Sequence, residues 1–360
     1  LDHYSTYPVH KETIEKFGDA DQRGTRWTYE GNLVGNGPFQ LVDWKINRRI
    51  VVEGNPHYWD ANNVSLNKIV FIPIENIVTE ERMFRAKQLH VTSSLPADKI
   101  SVYRAAKDPE LRIAPYLGTY YYRLNVRKPQ LQDPRVRRAL AMTVDRQRLV
   151  DNITKGGQIP AYAMTPPGTM GYYPESDLKF DPEGAKRLFA DAGYPDGEGF
   201  PPTEILYNTN EGHRKVAVAL QDMWKKHLNI DIRLLNQEWK VYLDTESAGE
   251  YEISRAGWIG DYVDPNNFLD LFLCNGGNNR TGWCNEEYDR LILDVAPSMS
   301  SPKERLEVFQ KAENMLLNDM PIIPIYTYTS VQLVNSSVKN LDPNIMNAPA
   351  YKDIYLEADK

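Results

Sequence analysis

The 360-residue sequence has only two cysteines, six histidines and no long apolar run. Without about eighteen consecutive apolar residues, no segment is predicted to cross a membrane as a helix. Lysines and arginines form no cluster and the formal net charge is −7, so nucleic acid is a poor candidate partner. The histidines are scattered and no second Cys/His pair has ligand spacing, so no metal site is predicted.

Signatures of catalysis and of cofactor binding are missing as well. The sequence contains no G-x-G-x-x-G fingerprint, P-loop, G-x-S-x-G elbow or H-E-x-x-H pair. No cofactor is therefore predicted. Glu238 and Asp261 could act as an acid/base pair, which keeps an enzyme open as an alternative, but two carboxylates in so long a chain are a weak signal.

The two cysteines, Cys274 and Cys284, flank a loop rich in glycine and asparagine, CNGGNNRTGWC. They are either two unrelated buried thiols or a disulfide. We favour the disulfide, because a loop with little apolar content gains order from a covalent link. Closing a loop of this length stabilises a fold by roughly 2.5–3 kcal/mol in the chain-entropy model. A disulfide also indicates an oxidising compartment.

The first residues, LDHYSTYPVHKETIEKFG, lack the basic head and apolar core of a signal peptide. They open abruptly, as if inside a domain. The sequence is therefore expected to be a mature chain or a fragment that lacks an earlier part.

Strand patterns dominate the first third of the chain. Turn signals at Asn36-Gly37-Pro38 and at Pro56 bracket two short strands. KIVFIPI (68–74) and the aromatic-rich YLGTYYYRLNV (116–126) predict two more.

Helix signals follow. Asp133 and Asp181 each precede a proline and predict N-caps, and Asp145 can cap a further helix. Ser301, followed by Pro302 and Glu304, has the pattern of a capping box. The segment PIIPIYTYTSVQLV after that helix predicts a strand pair or a crossing strand.

Strand and helix patterns alternate between residues 203 and 262, which predicts parallel strands joined by helices. Ligands bind at the carboxyl ends of such strands. Three loops follow those ends here: NTNEGH (208–213), NQEW (236–239) and WIGDY (258–262). Their aromatic and polar residues suit the rim of a pocket. Competing interpretations remain open. The tryptophans could simply pack in the core, His213 could be solvated, and Asp261 could only form an Asx turn.

Five segments in order resemble the periplasmic oligopeptide-binding proteins, the solute receptors of peptide ABC transporters. They are NGPFQLVDW with NPHYWD, DPRVRRALAMTVDR, FDPEGAKRLFADAGY, NQEWKVYLDT and RAGWIGDYVDPNNFL. The resemblance covers nearly the whole chain. It implies a two-lobed α/β fold like that of the type II periplasmic binding proteins, in their peptide-binding cluster, and incomplete at its N-terminus. Residues 1–160 would form part of lobe one, 161–325 lobe two, and 326–360 a return to lobe one.

The resemblance also implies how a ligand is held. The acid of the GW-x-x-DY segment, here Asp261, would pair with the α-ammonium of a short peptide. The strand Arg255–Trp258 would pair with the peptide backbone, and Gly257 would permit the close approach. Trp239, Trp258 and Tyr326 would line roomy side-chain pockets. The expected ligand-binding residues are Asp261, Trp258, Gly257, Arg255, Trp239, Glu238, His213, Asn208, Tyr262, Tyr326, Tyr116 and Tyr121.

Two features depart from the family pattern. Gly118 and Ile259 stand where similar members carry a cysteine bridge, so the Cys274–Cys284 pair would replace it. Glu246 stands where some relatives place a basic residue for the peptide carboxylate. Contacts to that carboxylate would then fall to Arg255 or His213, or the preferred peptide length differs.

The function implied is that of a periplasmic, monomeric, non-enzymatic receptor that delivers short peptides to an inner-membrane ABC permease. Receptors for dipeptides, murein peptide or another small solute are the alternatives within this class. Because a fragment would lack half of the binding surface, the chain alone is expected to bind peptides weakly or not at all.

Overall fold

The computed structural model describes residues 4–357. Its strands are β1 Phe39–Lys45, β2 Arg49–Gly54, β3 Lys68–Phe71, β4 Leu111–Leu124, β5 Ile159–Pro160, β6 Thr203–Asn208, β7 Ile232–Gln237, β8 Ile253–Ile259, β9 Ile322–Leu333, β10 Val338–Lys339 and β11 Tyr355–Leu356. Its α-helices are α1 Lys11–Phe17, α2 Ile77–Arg85, α3 Ala97–Ala105, α4 Pro134–Met142, α5 Arg146–Leu149, α6 Pro182–Asp191, α7 Glu211–Leu228, α8 Trp239–Ala248, α9 Asn266–Leu269, α10 Glu286–Arg290, α11 Ala296–Ser298 and α12 Pro302–Asp319.

The chain divides into two compact units. Unit 1 contains the residues up to Ala114 and those from Ser330 onward, and unit 2 contains Pro115–Thr329. The sequence predicts lobe boundaries near residues 160 and 325. The unit boundaries instead lie within two long strands, after Ala114 in β4 and after Thr329 in β9. The lobe assignment stays a prediction.

Unit 1 is built on small antiparallel sheets. β1, β2 and β3 form one of them, and β10 pairs with β11 in another. A separate apolar cluster packs helices α2 and α3 against β9, with Phe84, Ile100 and Leu333 buried at its centre. The predicted strand over 68–74 is confirmed for Lys68–Phe71.

Unit 2 is organised around a six-stranded sheet in the order β5-β9-β4-β8-β6-β7. β6 pairs in parallel with both β7 and β8, which confirms the parallel arrangement predicted for residues 203–262. β4 runs antiparallel to β8. The segment after α12 is one crossing strand, β9, rather than a strand pair.

The principal core of unit 2 lies between one sheet face and helices α4, α6 and α7. Trp224 on α7 is fully buried there, and its indole Nε1 donates to the Leu140 carbonyl at 3.0 Å. The predicted apolar face of α7 is confirmed, since its buried side chains include Val216, Leu220 and Leu228.

Local sequence signals account for where the helices begin. The carboxylates of Asp133, Asp145 and Asp181 each accept a backbone N–H of the first helical turn, as their positions before α4, α5 and α6 predict. The Ser301 hydroxyl likewise accepts from the Glu304 N–H at the start of α12. Each cap satisfies a donor that the helix itself leaves unpaired.

The disulfide between Cys274 and Cys284 is present, with Cα atoms 4.6 Å apart. The loop it closes is also held by Asn279, whose side-chain amide donates to the carbonyls of Phe272, Leu273 and Trp283. Gly118 and Ile259 face each other across β4 and β8, so the two positions that depart from the family pattern are indeed neighbours.

Candidate functional site

All the predicted site residues lie in unit 2: on β8 and the loop after it, on strands β4 and β9, and in the segments at the ends of β6 and β7. β8 is paired on one side with β4 along its whole length, through Ile253–Ile259. On the other side, its parallel pairing with β6 reaches only to Ser254. Within residues 4–357, no strand pairs with this second edge beyond Ser254, although the Arg255 carbonyl accepts from the Tyr242 hydroxyl. The backbone edge from Gly257 to Ile259 is therefore open to another strand.

A polar loop closes the far end of β8. The Asn267 side-chain oxygen accepts from the Trp258 indole at 3.1 Å and from the Asp261 backbone N–H at 2.8 Å. Asn267 is buried and thus fixes the half-buried Trp258 relative to Asp261. The Asp261 side chain is exposed. Asn266 donates to the Tyr262 hydroxyl at 3.4 Å. No local sequence signal identifies Asn267, because asparagine after proline indicates only a turn.

Acidic residues surround this loop. Asp264 is bound by both terminal nitrogens of Arg305, at 2.7 and 2.9 Å. The half-buried Asp270 accepts a long hydrogen bond from Asn266 at 3.4 Å. Burial, together with the negative charges of Asp261 and Asp264, raises the pKa of Asp270 to about 6. The carboxyl end of β8 is therefore an acidic environment suited to a cation.

This environment predicts a pH-dependent stability. The pKa of Asp270 is higher in the folded state, about 6, than its ordinary value of 3.8. The folded state thus favours the protonated form, and the free energy of unfolding falls as pH rises from about 4 to about 6. Asp270→Asn cannot ionise, so it should gain stability relative to wild type over that range, by on the order of 1 kcal/mol.

Urea unfolding at pH 4.5 and pH 8 measures this difference. The exposed Asp342→Asn is the control for loss of a negative charge. Equal pH dependence in wild type and Asp270→Asn would show that Asp270 does not titrate in this way.

On one face of the sheet, Arg255 lies in a cluster of aromatic rings. Its guanidinium lies 4.6 Å from the centre of the Tyr120 ring, and Nη2 donates to the Tyr328 hydroxyl at 3.0 Å. The Tyr120 ring stacks on Tyr326 at 4.7 Å. Tyr116 lies beside Tyr328 at 6.4 Å. The sequence predicted Tyr116 and Tyr326 but missed Tyr120 and Tyr328.

His213, in the first turn of α7, contacts the same cluster. Its Nδ1 lies 3.3 Å from the Tyr120 hydroxyl, and the two rings are 5.6 Å apart. Burial, together with the positive charge of Arg255, lowers the pKa of His213 to about 2. His213 is therefore half-buried and neutral at physiological pH, rather than a solvated histidine.

Arg255 differs from the other buried arginines of unit 2. Backbone carbonyls accept from the guanidiniums of Arg137 and Arg146. Arg123, on the opposite face of β4, is paired with the Glu246 carboxylate. Among the residues that the structure describes, neither a carboxylate nor a backbone carbonyl accepts from the Arg255 guanidinium, which donates to the Tyr328 hydroxyl. Its Nε has no acceptor, as is also true of Nε of Arg123 and Nη2 of Arg146. A largely desolvated cation without an anion marks a position where an anionic ligand would be stabilised.

Glu246 is occupied on the other face. Its carboxylate accepts from Arg123, from the Tyr242 hydroxyl at 3.1 Å and from the Ser254 hydroxyl at 3.3 Å. The pairing with Arg123 explains why position 246 carries an acid, where some members of the family carry a basic residue. Tyr121 also points to this face, where it is buried against Phe272.

The remaining predicted residues lie at the ends of β6 and β7. Asn208 and Gln237 are register partners there, and the side-chain oxygen of each is buried without a hydrogen bond among the described residues. Glu238 is exposed, but its carboxylate caps α8 by accepting from the Lys240 N–H at 2.8 Å. Trp239 is 51% exposed and stacks on Tyr242 at 5.7 Å. The strand ends thus offer an exposed aromatic surface and two unsatisfied acceptors.

Neither a membrane-spanning helix nor a metal cluster is seen in the described part of the chain. None of the helices within residues 4–357 is both long and apolar enough to span a bilayer. The same residues contain no group of three or more His, Cys, Asp or Glu side chains arranged to hold a metal ion.

Comparison with known proteins identifies the family. Residues 2–280 match the model of the bacterial extracellular solute-binding proteins, family 5 Middle. The chain belongs to this family. It is 37% identical over 343 residues to the periplasmic oligopeptide-binding protein OppA of Salmonella typhimurium. The aligned region covers 93% of this chain and 61% of that relative.

Solved structures of this family have the same fold. The murein tripeptide binding protein MppA of Escherichia coli matches with a TM-score of 0.88 at 34% identity, over 98% of this chain and 69% of that one. OppA of Haemophilus influenzae, in complex with the peptide RPPGFSPFR, matches with a TM-score of 0.83 at 33% identity, over 98% of this chain and 70% of that one. The predicted fold class and family are therefore confirmed, while the chain spans 61% of the length of the Salmonella relative.

Proposed function

We propose that unit 2 binds a short peptide in extended form along the open edge of β8. The observation that carries this proposal is the backbone edge from Gly257 to Ile259, which no strand of the described residues pairs with. The exposed acid Asp261 lies beyond one end of this edge, and Arg255, which has no carboxylate partner among those residues, lies before the other. A peptide added as a strand would satisfy the backbone groups of this edge. Main-chain pairing does not distinguish side chains, which suits a receptor for many sequences.

The peptide amino terminus would meet Asp261. An α-ammonium group that leaves water needs a charged partner, and a carboxylate is the strongest one available. Asn267 holds the Asp261 backbone in place, and the nearby Asp270 adds negative potential. An N-acetylated peptide would present no charge to this group.

The peptide carboxylate would meet Arg255. Since Glu246 is already bound by Arg123, Tyr242 and Ser254, it repels no ligand from the Arg255 face. The six residue steps between Arg255 and Asp261 span at most ~20 Å of extended chain, which limits a peptide held at both ends to a few residues.

Ligand side chains would lie over the strand ends. The exposed Trp239 ring offers an apolar surface for them. Water can fill unoccupied space in such pockets, so the pockets would accept side chains of different size.

The biological role that follows is capture of peptides outside the cytoplasm and delivery to an inner-membrane ABC permease, without chemical change to the peptide. The disulfide supports an oxidising compartment such as the periplasm. The Salmonella and Haemophilus relatives are named for oligopeptides, and the Escherichia coli relative for a murein tripeptide. A receptor for dipeptides, murein peptide or another small solute is the alternative.

Mass spectrometry of ligands released from the intact protein tests the proposal. Protein purified without denaturant should release a mixture of short peptides with free termini when it is acidified. The Asp261→Asn variant, prepared in parallel, should release much less. Recovery of one non-peptide compound would favour the small-solute alternative, and turnover of added peptides would favour an enzyme.

A further inference from the structure

Arg255 is held in place before any ligand arrives. An arginine side chain loses much rotational freedom when it is fixed, and a binding site is stronger if that loss precedes ligand binding. The Tyr120 ring supports the guanidinium from one side, and the Tyr328 hydroxyl accepts from Nη2 at 3.0 Å. Of these two contacts, only the hydrogen bond defines the direction of the guanidinium plane.

Tyr328 is itself fixed by its neighbours. Its ring lies 5.6 Å from Tyr326, 6.1 Å from Tyr120 and 6.4 Å from Tyr116. The next residue, Thr329, donates through its hydroxyl to the Gly156 carbonyl at 2.8 Å. Burial raises the pKa of Tyr328 to about 12, so its hydroxyl stays neutral at physiological pH.

Gly257 makes this contact possible. It lies two residues after Arg255 on β8, on the same face of the sheet. A Cβ atom at position 257 would collide with the Tyr328 hydroxyl and lie 3.3 Å from Nη2 of Arg255. The hydroxyl therefore occupies the place of a side chain at position 257. Glycine is required here by Tyr328, independently of any approach by a ligand.

We propose that Tyr328, admitted by Gly257, is a positioning residue that holds the Arg255 guanidinium ready for the carboxylate of a bound peptide. This inference rests on the proposed function, because it assumes that Arg255 receives that carboxylate. Tyr328 acts through Arg255, so its contribution depends on the charge at the carboxyl end of the ligand.

The test compares affinities for one tripeptide and its C-terminal amide by calorimetry on the intact protein. Tyr328→Phe removes a single oxygen atom. It should bind the free acid about tenfold more weakly, the scale of one hydrogen bond to a charged group, and bind the amide as wild type does. Gly257→Ala should show the same pattern as Tyr328→Phe: binding of the free acid should weaken more than binding of the amide.

Tyr122→Phe is the matched control. It removes a hydroxyl that lies on the same sheet face but does not bond Arg255. It should leave the ratio of the two affinities unchanged. Melting temperatures of all variants report whether they fold.

The outcomes separate this inference from the proposed function. If wild type binds the acid and the amide equally, Arg255 does not receive the carboxylate and both ideas fail. If wild type prefers the acid and Tyr328→Phe keeps that preference, only the positioning role is overturned. Equal weakening of both ligands by Tyr328→Phe would also overturn it, since that would be a purely structural effect.

Discussion

Asp261→Asn is expected to weaken binding of a free tripeptide by about two orders of magnitude or more. The substitution keeps the shape of the side chain and removes the charge that would face the peptide ammonium. A bound peptide would cover the exposed Asp261 side chain, so the ion pair would be desolvated in the complex. Breaking such a pair by removing one partner costs about 3–5 kcal/mol, because the other charge is left desolvated. Calorimetric titration of the intact protein measures the change.

The ligand provides the matching control. Wild type should bind the N-acetylated tripeptide about as weakly as Asp261→Asn binds the free one, and the variant should discriminate little between them. Asp294→Asn, which removes an exposed charge from another segment, should bind as wild type does. Equal affinity of wild type for the free and acetylated peptides would rule out an ammonium site at Asp261.

Arg255→Met is expected to lower ligand affinity without lowering the stability of the fold by much. Affinity for a free tripeptide should fall at least about tenfold, while affinity for its C-terminal amide should change little. The free energy of unfolding should stay within about 1 kcal/mol of wild type or increase, since the variant removes a largely desolvated charge that has no anionic partner. Calorimetry and urea unfolding measure the two effects.

Arg123→Met is the matched variant on the opposite face of the sheet. There the substitution leaves the Glu246 carboxylate buried and unpaired, so stability should fall by about 3–5 kcal/mol. If Arg255→Met proved as destabilising as Arg123→Met, Arg255 would be a structural residue rather than a site for an anion.

The sequence predicts the parts of this fold that depend on neighbouring residues. The caps at Asp133 and Asp181 and the apolar face of α7 are confirmed because each depends on residues a few positions apart. The parallel pairing of β6 with β8 is confirmed because alternating strand and helix patterns leave few other arrangements. The disulfide is confirmed because its two cysteines have no competing partner.

The contacts that define the site are of a different kind. Arg255 and Tyr328 are 73 positions apart, and Arg123 and Glu246 are 123 apart. No local pattern indicates which of the many tyrosines or carboxylates meets a given arginine. The open edge of β8 was equally hidden, because it depends on where β6 ends relative to its partner. Such features follow from register and packing, which become known only in three dimensions.

The most direct measurement is the affinity of the intact protein for one tripeptide in four forms: free, N-acetylated, C-amidated and blocked at both ends. The free peptide should bind most tightly, each block should weaken binding, and the doubly blocked peptide should bind most weakly. Asp261→Asn should abolish the effect of acetylation but not that of amidation. Arg255→Met should abolish the effect of amidation but not that of acetylation. Four equal affinities would contradict an extended peptide held at both ends along β8.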